Sequence, residues 1–242
     1  AEYDVVEYDT SCLPYPRRDF CDRTLFVTRS QMLLHHFKKI AIPLTIGTVS
    51  LKRNWKSQLR ALLLRPIYKI QLQQRIQQAH TTISEADLVI LGNYDDKREL
   101  IDCGISEDKI AIIPNSISPN LKALFDEVSS ETPAKHKVGF VGTFDNRKGC
   151  TDFPKIVKKV CQALPDVSFR LLGTSGLYRT KEEVLAQFPE NLRDKLEIIP
   201  QFIPEELPKL LAACSVGIFP SYLEAFPFGV LEMLSASLPA IA

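Results

Sequence analysis

Eight short apolar, β-branched segments punctuate the chain: YDVVEY, TLFVTRS, ADLVILGN, KIAIIPN, KVGFVGT, VSFRLLG, LEIIPQ and VGIFPS. Their apolar residues fall on both faces, the pattern of strands in a parallel sheet that is covered on two sides. Stretches of helical periodicity separate them. In 153–164, Ile156, Val157, Val160 and Leu164 share one face, and 205–213 reads as another amphipathic helix. Strand, helix, strand at this spacing restricts the chain to the α/β class, with parallel strands joined by helical crossovers. A polar segment at 125–137, FDEVSSETPAKHK, breaks the series and reads as a linker. It predicts two Rossmann-like halves, 1–124 and 138–242, facing a cleft. In such open sheets, ligands bind at the carboxyl ends of the strands.

The composition narrows the function classes. Hydrophobic residues at 45% and charged residues at 24% of 242 suit a globular chain with a substantial core. A net charge of +1 argues against a nucleic-acid partner. The longest apolar runs have strand length, too short to span a bilayer. Six cysteines (Cys12, Cys21, Cys103, Cys150, Cys161, Cys214) lack C-x-x-C spacing, and four histidines (His35, His36, His80, His136) lack an H-x-x-x-H pattern. That predicts reduced thiols, a cytoplasmic setting and no bound metal. The basic stretch LKRNWKSQLRALLLRPIYKIQLQQRIQQAHTTI reads as a helical region interrupted at Pro66. Its positive face is either solvated, the commoner fate of a charge run, or meets a membrane surface or an acidic partner peripherally. The sequence starts at Ala1 directly on a strand and ends with Pro239 to Ala242 opening another, which reads as an internal piece of a longer protein.

Three stretches carry candidate chemistry. In VGFVGTFDNRKG, a strand ends at Gly142 and Lys148-Gly149 leads towards a helix. Backbone N–H groups and one lysine there suit a phosphate, although the spacing is not that of a P-loop. A turn with a surface lysine is the alternative. In RLLGTSGLY, Gly173 and Gly176 either let a ligand approach the backbone or only make a turn. In FPSYLEAFPFGVLEM, Glu224 precedes a helix that Pro227 opens, and Glu232 follows in its second turn. Exposed N–H groups near Phe226, Pro227, Phe228, Gly229 and Val230 would carry the positive end of the helix dipole. Two carboxylates beside an anion site suit a ligand with hydroxyls as well as phosphate. Solvated surface acids are the plainer reading of any such pair.

This last stretch resembles the Glu-x7-Glu signature of the retaining glycosyltransferases of family 4, with Pro220, Ser221, Glu224, Phe226, Glu232 and Pro239 in register. ADLVILGNYDDKRELIDCGISEDKIAIIPNSI, VGFVGTFDNRKG and FIPEELPKLLAACSVGIFPS are similar to that family in the same order, so the likeness covers about 86–242. Upstream, FVTRSQMLLHHF looks like the acceptor-side segment, with Gln31 and His35 as its candidates. The resemblance implies the GT-B fold, both domains incomplete here, and sugar transfer from a UDP- or GDP-sugar to a glycan, lipid or small-molecule acceptor without a metal. By position, Lys148 would stabilise the departing diphosphate, and Glu224 with the N–H groups of Phe226 to Gly229 would hold the donor sugar. Gly142, Thr143, Arg147, Gly173 and Val230 would complete the donor site, and Glu232 would take the ribose hydroxyls. Thr143 stands where the family often has arginine, with Arg147 a candidate to compensate, and Gln31 stands where a histidine usually follows R-S. Those departures favour a second reading, a non-catalytic or degenerate nucleotide-sugar binder; a third, a sugar-nucleotide 2-epimerase, shares the fold, but the C-terminal histidine that would favour it is lacking after His136. As an isolated piece, the chain is expected to bind nucleotide poorly and transfer nothing.

Overall fold

The computed structural model describes residues 3–11, 17–39, 55–128 and 136–242. All eight expected segments hold strands, and the closing PAIA supplies a ninth. Two compact units divide the chain: residues 1–115 with 224–226, and residues 116–223 with 227–242.

The first unit is built on β1 (Val5–Asp9), β2 (Leu25–Arg29), α1 (Trp55–Ser84), β3 (Leu88–Leu91), α2 (Tyr94–Asp102) and β4 (Ile110–Ile112). Its strands are all parallel, in the order β1-β2-β3-β4. Central β2 is buried at Phe26, Val27 and Thr28, as the apolar pattern requires. β1 departs from it: only Tyr8 is buried, because an edge strand has a neighbour on one side alone. In α1, Ile76, Ala79 and Ile83 recur at helical spacing and are buried. The helix runs through Pro66, where the sequence predicts an interruption. Proline removes one internal hydrogen bond, and a helix of 30 residues keeps enough others to continue past it.

The second unit contains α3 (Pro119–Val128), β5 (Lys137–Val141), α4 (Phe153–Ala163), β6 (Ser168–Leu172), α5 (Lys181–Leu185), β7 (Leu196–Ile199), α6 (Leu207–Ala212), β8 (Val216–Ile218), α7 (Phe228–Ser235) and β9 (Ala240–Ile241). Its parallel sheet has the order β7-β6-β5-β8-β9. The chain adds β6 and β7 on one side of β5, then crosses to place β8 and β9 on the other. The strand order therefore reverses between β5 and β8, the position where open α/β sheets leave a crevice at their carboxyl ends. Across the sheet, Lys137 on β5 and Arg170 on β6 both pair with Glu197 on β7, at 3.3 and 2.8 Å.

Two expectations shift here. Phe125 of α3 is 1% exposed and belongs to the second core. Burying such a ring is worth about 2–3 kcal/mol, so the unit boundary falls at Asn115–Ser116, ahead of the expected linker. Of that linker, residues 129–135 lie outside the described ones. In α4, Phe153 and Val157 are buried and Val160 packs against them, but Leu164 is 45% exposed. It follows the last helical residue, so it leaves the face that periodicity assigned to it.

Candidate functional site

Side chains and backbone from the ends of β5, β6 and β8 meet within the second unit. After β5 the loop is organised by Asp145. Its carboxylate accepts from the Thr143 hydroxyl at 2.6 Å and from the Lys148 backbone N–H at 3.0 Å. An aspartate closing a turn onto its own backbone is a local device readable from sequence, yet Asp145 is absent from the sequence-level candidates. α4 starts only at Phe153, not at Lys148-Gly149, because Cys150 to Asp152 form a further turn. Towards β6, the Gly142 N–H donates to the Leu172 carbonyl at 2.9 Å, and Gly173 (φ +70°) donates to Ile199 of β7 at 2.9 Å.

The loop after β5 is locked to the loop after β8. The Arg147 carbonyl accepts from the Tyr222 N–H at 2.8 Å and the Ser221 hydroxyl at 3.2 Å. The Arg147 guanidinium donates to the Leu223 carbonyl at 3.0 Å, which gives it a structural duty beside the one expected of it. The Tyr222 hydroxyl donates to Asp152. Gly149 adopts φ +80°, and a Cβ there would collide with the Pro220 carbonyl oxygen, so only glycine lets the two loops close.

α7 supplies the opposite wall. Pro227 caps this helix rather than sitting in its first turn, and its carbonyl accepts from the N–H groups of Val230 and Leu231. Phe228 is 49% exposed. Gly229 is buried, and a Cβ on it would stand 2.5 Å from the Val141 carbonyl oxygen and 2.8 Å from the Phe219 ring. Its bare backbone brings the N-terminus of α7 hard against the end of β5. The positive end of the α7 dipole therefore lies at the point where strand order reverses.

Two ionisable groups complete this wall. The Lys148 ammonium stands 4.5 Å from the centre of the Phe219 ring, a cation–π seat that fixes the end of a flexible side chain. Glu232 is partly buried in the second turn of α7. Burial pushes its carboxyl up to about 7, and the charge of Lys148 draws it in the other direction. Lys148 and Glu232 thus act on one another electrostatically. The sequence names both residues; neither the supporting ring nor the burial is visible in it.

Other expected residues fall elsewhere. Glu224, with Ala225 and Phe226, groups with the first unit, where the Asn93 side chain donates to the Ala225 carbonyl at 2.7 Å. Gln31 is exposed at the end of β2. His35, in the same segment, is only 2% exposed. Its neighbour His36 instead pairs with buried Asp96 at 2.7 Å, a contact that sequence reading missed. Burial raises the Asp96 carboxyl, with His36 opposing. Among the described residues, no group of three or more His, Cys, Asp or Glu side chains could hold a metal ion.

The fold is that of the GT-B glycosyltransferases. Sucrose-phosphate synthase from Thermosynechococcus elongatus superposes with a TM-score of 0.68 at 19% identity, covering 99% of this chain and 56% of that one. HepE of Anabaena, solved with UDP, gives 0.57 at 15% identity, covering 91% of this chain and 53% of its own. At such identities the likeness concerns the fold alone. Residues 135–242 match the family described as Glycosyl transferases group 1. The alpha-galactosylglucosyldiacylglycerol synthase of Streptococcus pneumoniae is 26% identical over 160 residues, 58% of this chain and 39% of that protein. The chain spans about two fifths of the length of the curated relatives it matches.

Proposed function

We propose that this chain is part of a retaining glycosyltransferase, which moves a hexosyl group from a nucleoside-diphosphate sugar to a glycan, lipid or small-molecule acceptor. The observation that carries the proposal is the placement of Lys148, Glu232 and the N-terminus of α7 around the strand-order reversal of the second sheet. A cation and a helix N-terminus suit a diphosphate, and a carboxylate beside them suits the paired hydroxyls of a ribose. The nucleotide is UDP or GDP; HepE and the pneumococcal O-GlcNAc transferase GtfA, which share the fold, were both solved with UDP.

In this reading, Lys148 and the first N–H groups of α7 stabilise charge that grows on the diphosphate as its oxygen leaves the anomeric carbon. Donors fixed beforehand at a developing anion lower the barrier, and the scheme needs no metal. Glu224 and Phe226 would hold the donor sugar. Gly142, Thr143 and Gly173 line the end of the sheet beside the phosphates, and Val230 continues the wall. The Thr143 hydroxyl is committed to Asp145 and adds no charge, so Lys148 carries most of the cationic work. That single feature favours the second reading, a nucleotide-sugar binder without transfer.

The test is an assay of the full-length protein with a panel of UDP- and GDP-sugars, reading nucleotide release and the anomeric configuration of the product. Release of UDP with a product of retained configuration is expected. Binding without any release would favour the second reading, and no binding of either nucleotide would refute both.

A further inference from the structure

Residues 224–226 follow β8 in sequence, yet they group with the first unit, against the corner where β3 turns into α2. That corner is Gly92-Asn93. The Gly92 backbone lies against Phe226, and a Cβ on Gly92 would stand 3.4 Å from the Phe226 Cβ. Asn93 is the N-cap of α2, and both ends of its amide are used. Its Oδ1 accepts from the Asp96 N–H at 2.7 Å, and its Nδ2 donates to the Ala225 carbonyl at 2.7 Å.

The two bonds fix one another. A helix N–H needs an acceptor and a carbonyl needs a donor, so a single orientation of the amide serves both. Serine and aspartate cap a helix about as well as asparagine, but neither extends a separate N–H beyond the capping oxygen. Capping alone therefore does not account for the second bond. The corner is also braced. Asp96 is 1% exposed and pairs with His36 at 2.7 Å, while Leu100, one turn further along α2, is fully buried. A side chain locked in this way can hold a neighbouring loop to one geometry.

We propose that Asn93 is a positioning residue for Glu224. By holding the carbonyl of Ala225, the next residue, it sets the backbone from which Glu224 reaches the donor sugar. The proposal rests on the assignment of Glu224 to that sugar. Lys148 and Glu232 belong to the second unit, where Lys148 is seated on the Phe219 ring. Nucleotide binding and sugar placement therefore depend on different residues.

The experiment compares Asn93→Ser with Asn93→Ala in the full-length protein. Serine keeps a capping oxygen, and its hydroxyl ends one bond short of the asparagine Nδ2; alanine removes both contacts. Four quantities are read: thermal unfolding, amide hydrogen exchange over residues 222–227, calorimetric Kd for UDP and GDP, and turnover of the donors in the sugar-nucleotide panel. Asn93→Ser should unfold and bind nucleotide like the parent, with faster exchange over 222–227 and turnover about 10- to 100-fold lower. Asn93→Ala should lose as much turnover and also unfold at a lower temperature. Parental turnover in Asn93→Ser would mean that Asn93 only caps α2, and would overturn the proposal. A loss of nucleotide affinity as large as the loss of turnover would overturn it too, as would unchanged exchange over 222–227, whatever the activity. A parent protein that releases no nucleotide from any donor would instead refute the transfer reading on which the proposal rests.

Discussion

Replacing Glu232 with glutamine keeps the side chain's shape and removes its ionisation, which makes it a sharp probe of the second unit. Burial lifts the carboxyl from 4.5 to about 7 despite Lys148. That difference corresponds to about 3 kcal/mol, an upper figure because the residue retains some solvent contact. Because the folded pKa is raised, this stabilisation is complete below 4.5 and is lost as pH rises through about 7. Glutamine has no charge to desolvate. The variant should therefore be more stable than the parent by about 1–3 kcal/mol near pH 8.5, and nearly equal to it near pH 4.5.

Nucleotide affinity should move the other way. An ionised carboxylate accepts from two ribose hydroxyls, whereas an amide offers one acceptor oxygen, at a cost of about 1–3 kcal/mol, or 5- to 150-fold in Kd. The loss should shrink below pH 6, where the parent is itself protonated. Guanidinium unfolding and UDP titration calorimetry at three pH values would measure both effects. A variant no more stable at high pH and with an unchanged Kd for UDP would refute the burial and the ribose role together.

Other substitutions test the remaining parts. Lys148→Ala should lower turnover about a hundredfold while weakening UDP binding much less, because the lysine acts mostly on charge that grows in the transition state; steady-state kinetics on the full-length protein would show this, and normal turnover would make Lys148 a surface group. Gly149→Ala should cost about 2–4 kcal/mol of stability, read by denaturant unfolding, since it combines positive φ with a collision against the Pro220 carbonyl. Glu197→Gln should destabilise by about 1–2 kcal/mol at neutral pH, since it strips Arg170 and Lys137 of their shared carboxylate. Burial alone would raise the Glu197 carboxyl, but Arg170 and Lys137 hold it below 4.5; its contribution is present above that value and disappears as pH falls through the lowered one, which a pH series of unfolding curves would resolve.

The strands were legible because burial on two sides demands continuous apolar runs, and all eight expected segments contain one. The edge position of β1 was not, since pairing partners are set by topology rather than by composition. The polar tone of 125–137 concealed Phe125, one ring with enough buried area to attach its helix to the second core. At the site, residue types could be read but their surroundings could not. Nothing local to Glu232 signals its burial, and nothing local to Lys148 signals the Phe219 ring, 71 positions away in sequence. Likewise, His35 and His36 are adjacent in sequence, and only the fold decides that the first is buried and the second meets Asp96.

The placement of the nucleotide is tested most directly by a crystal structure of the full-length protein with UDP. The diphosphate should lie at the N-terminus of α7 within reach of Lys148, with both ribose hydroxyls on the Glu232 carboxylate. A nucleotide bound away from the carboxyl ends of β5 and β8, or one whose ribose leaves Glu232 untouched, would contradict the account.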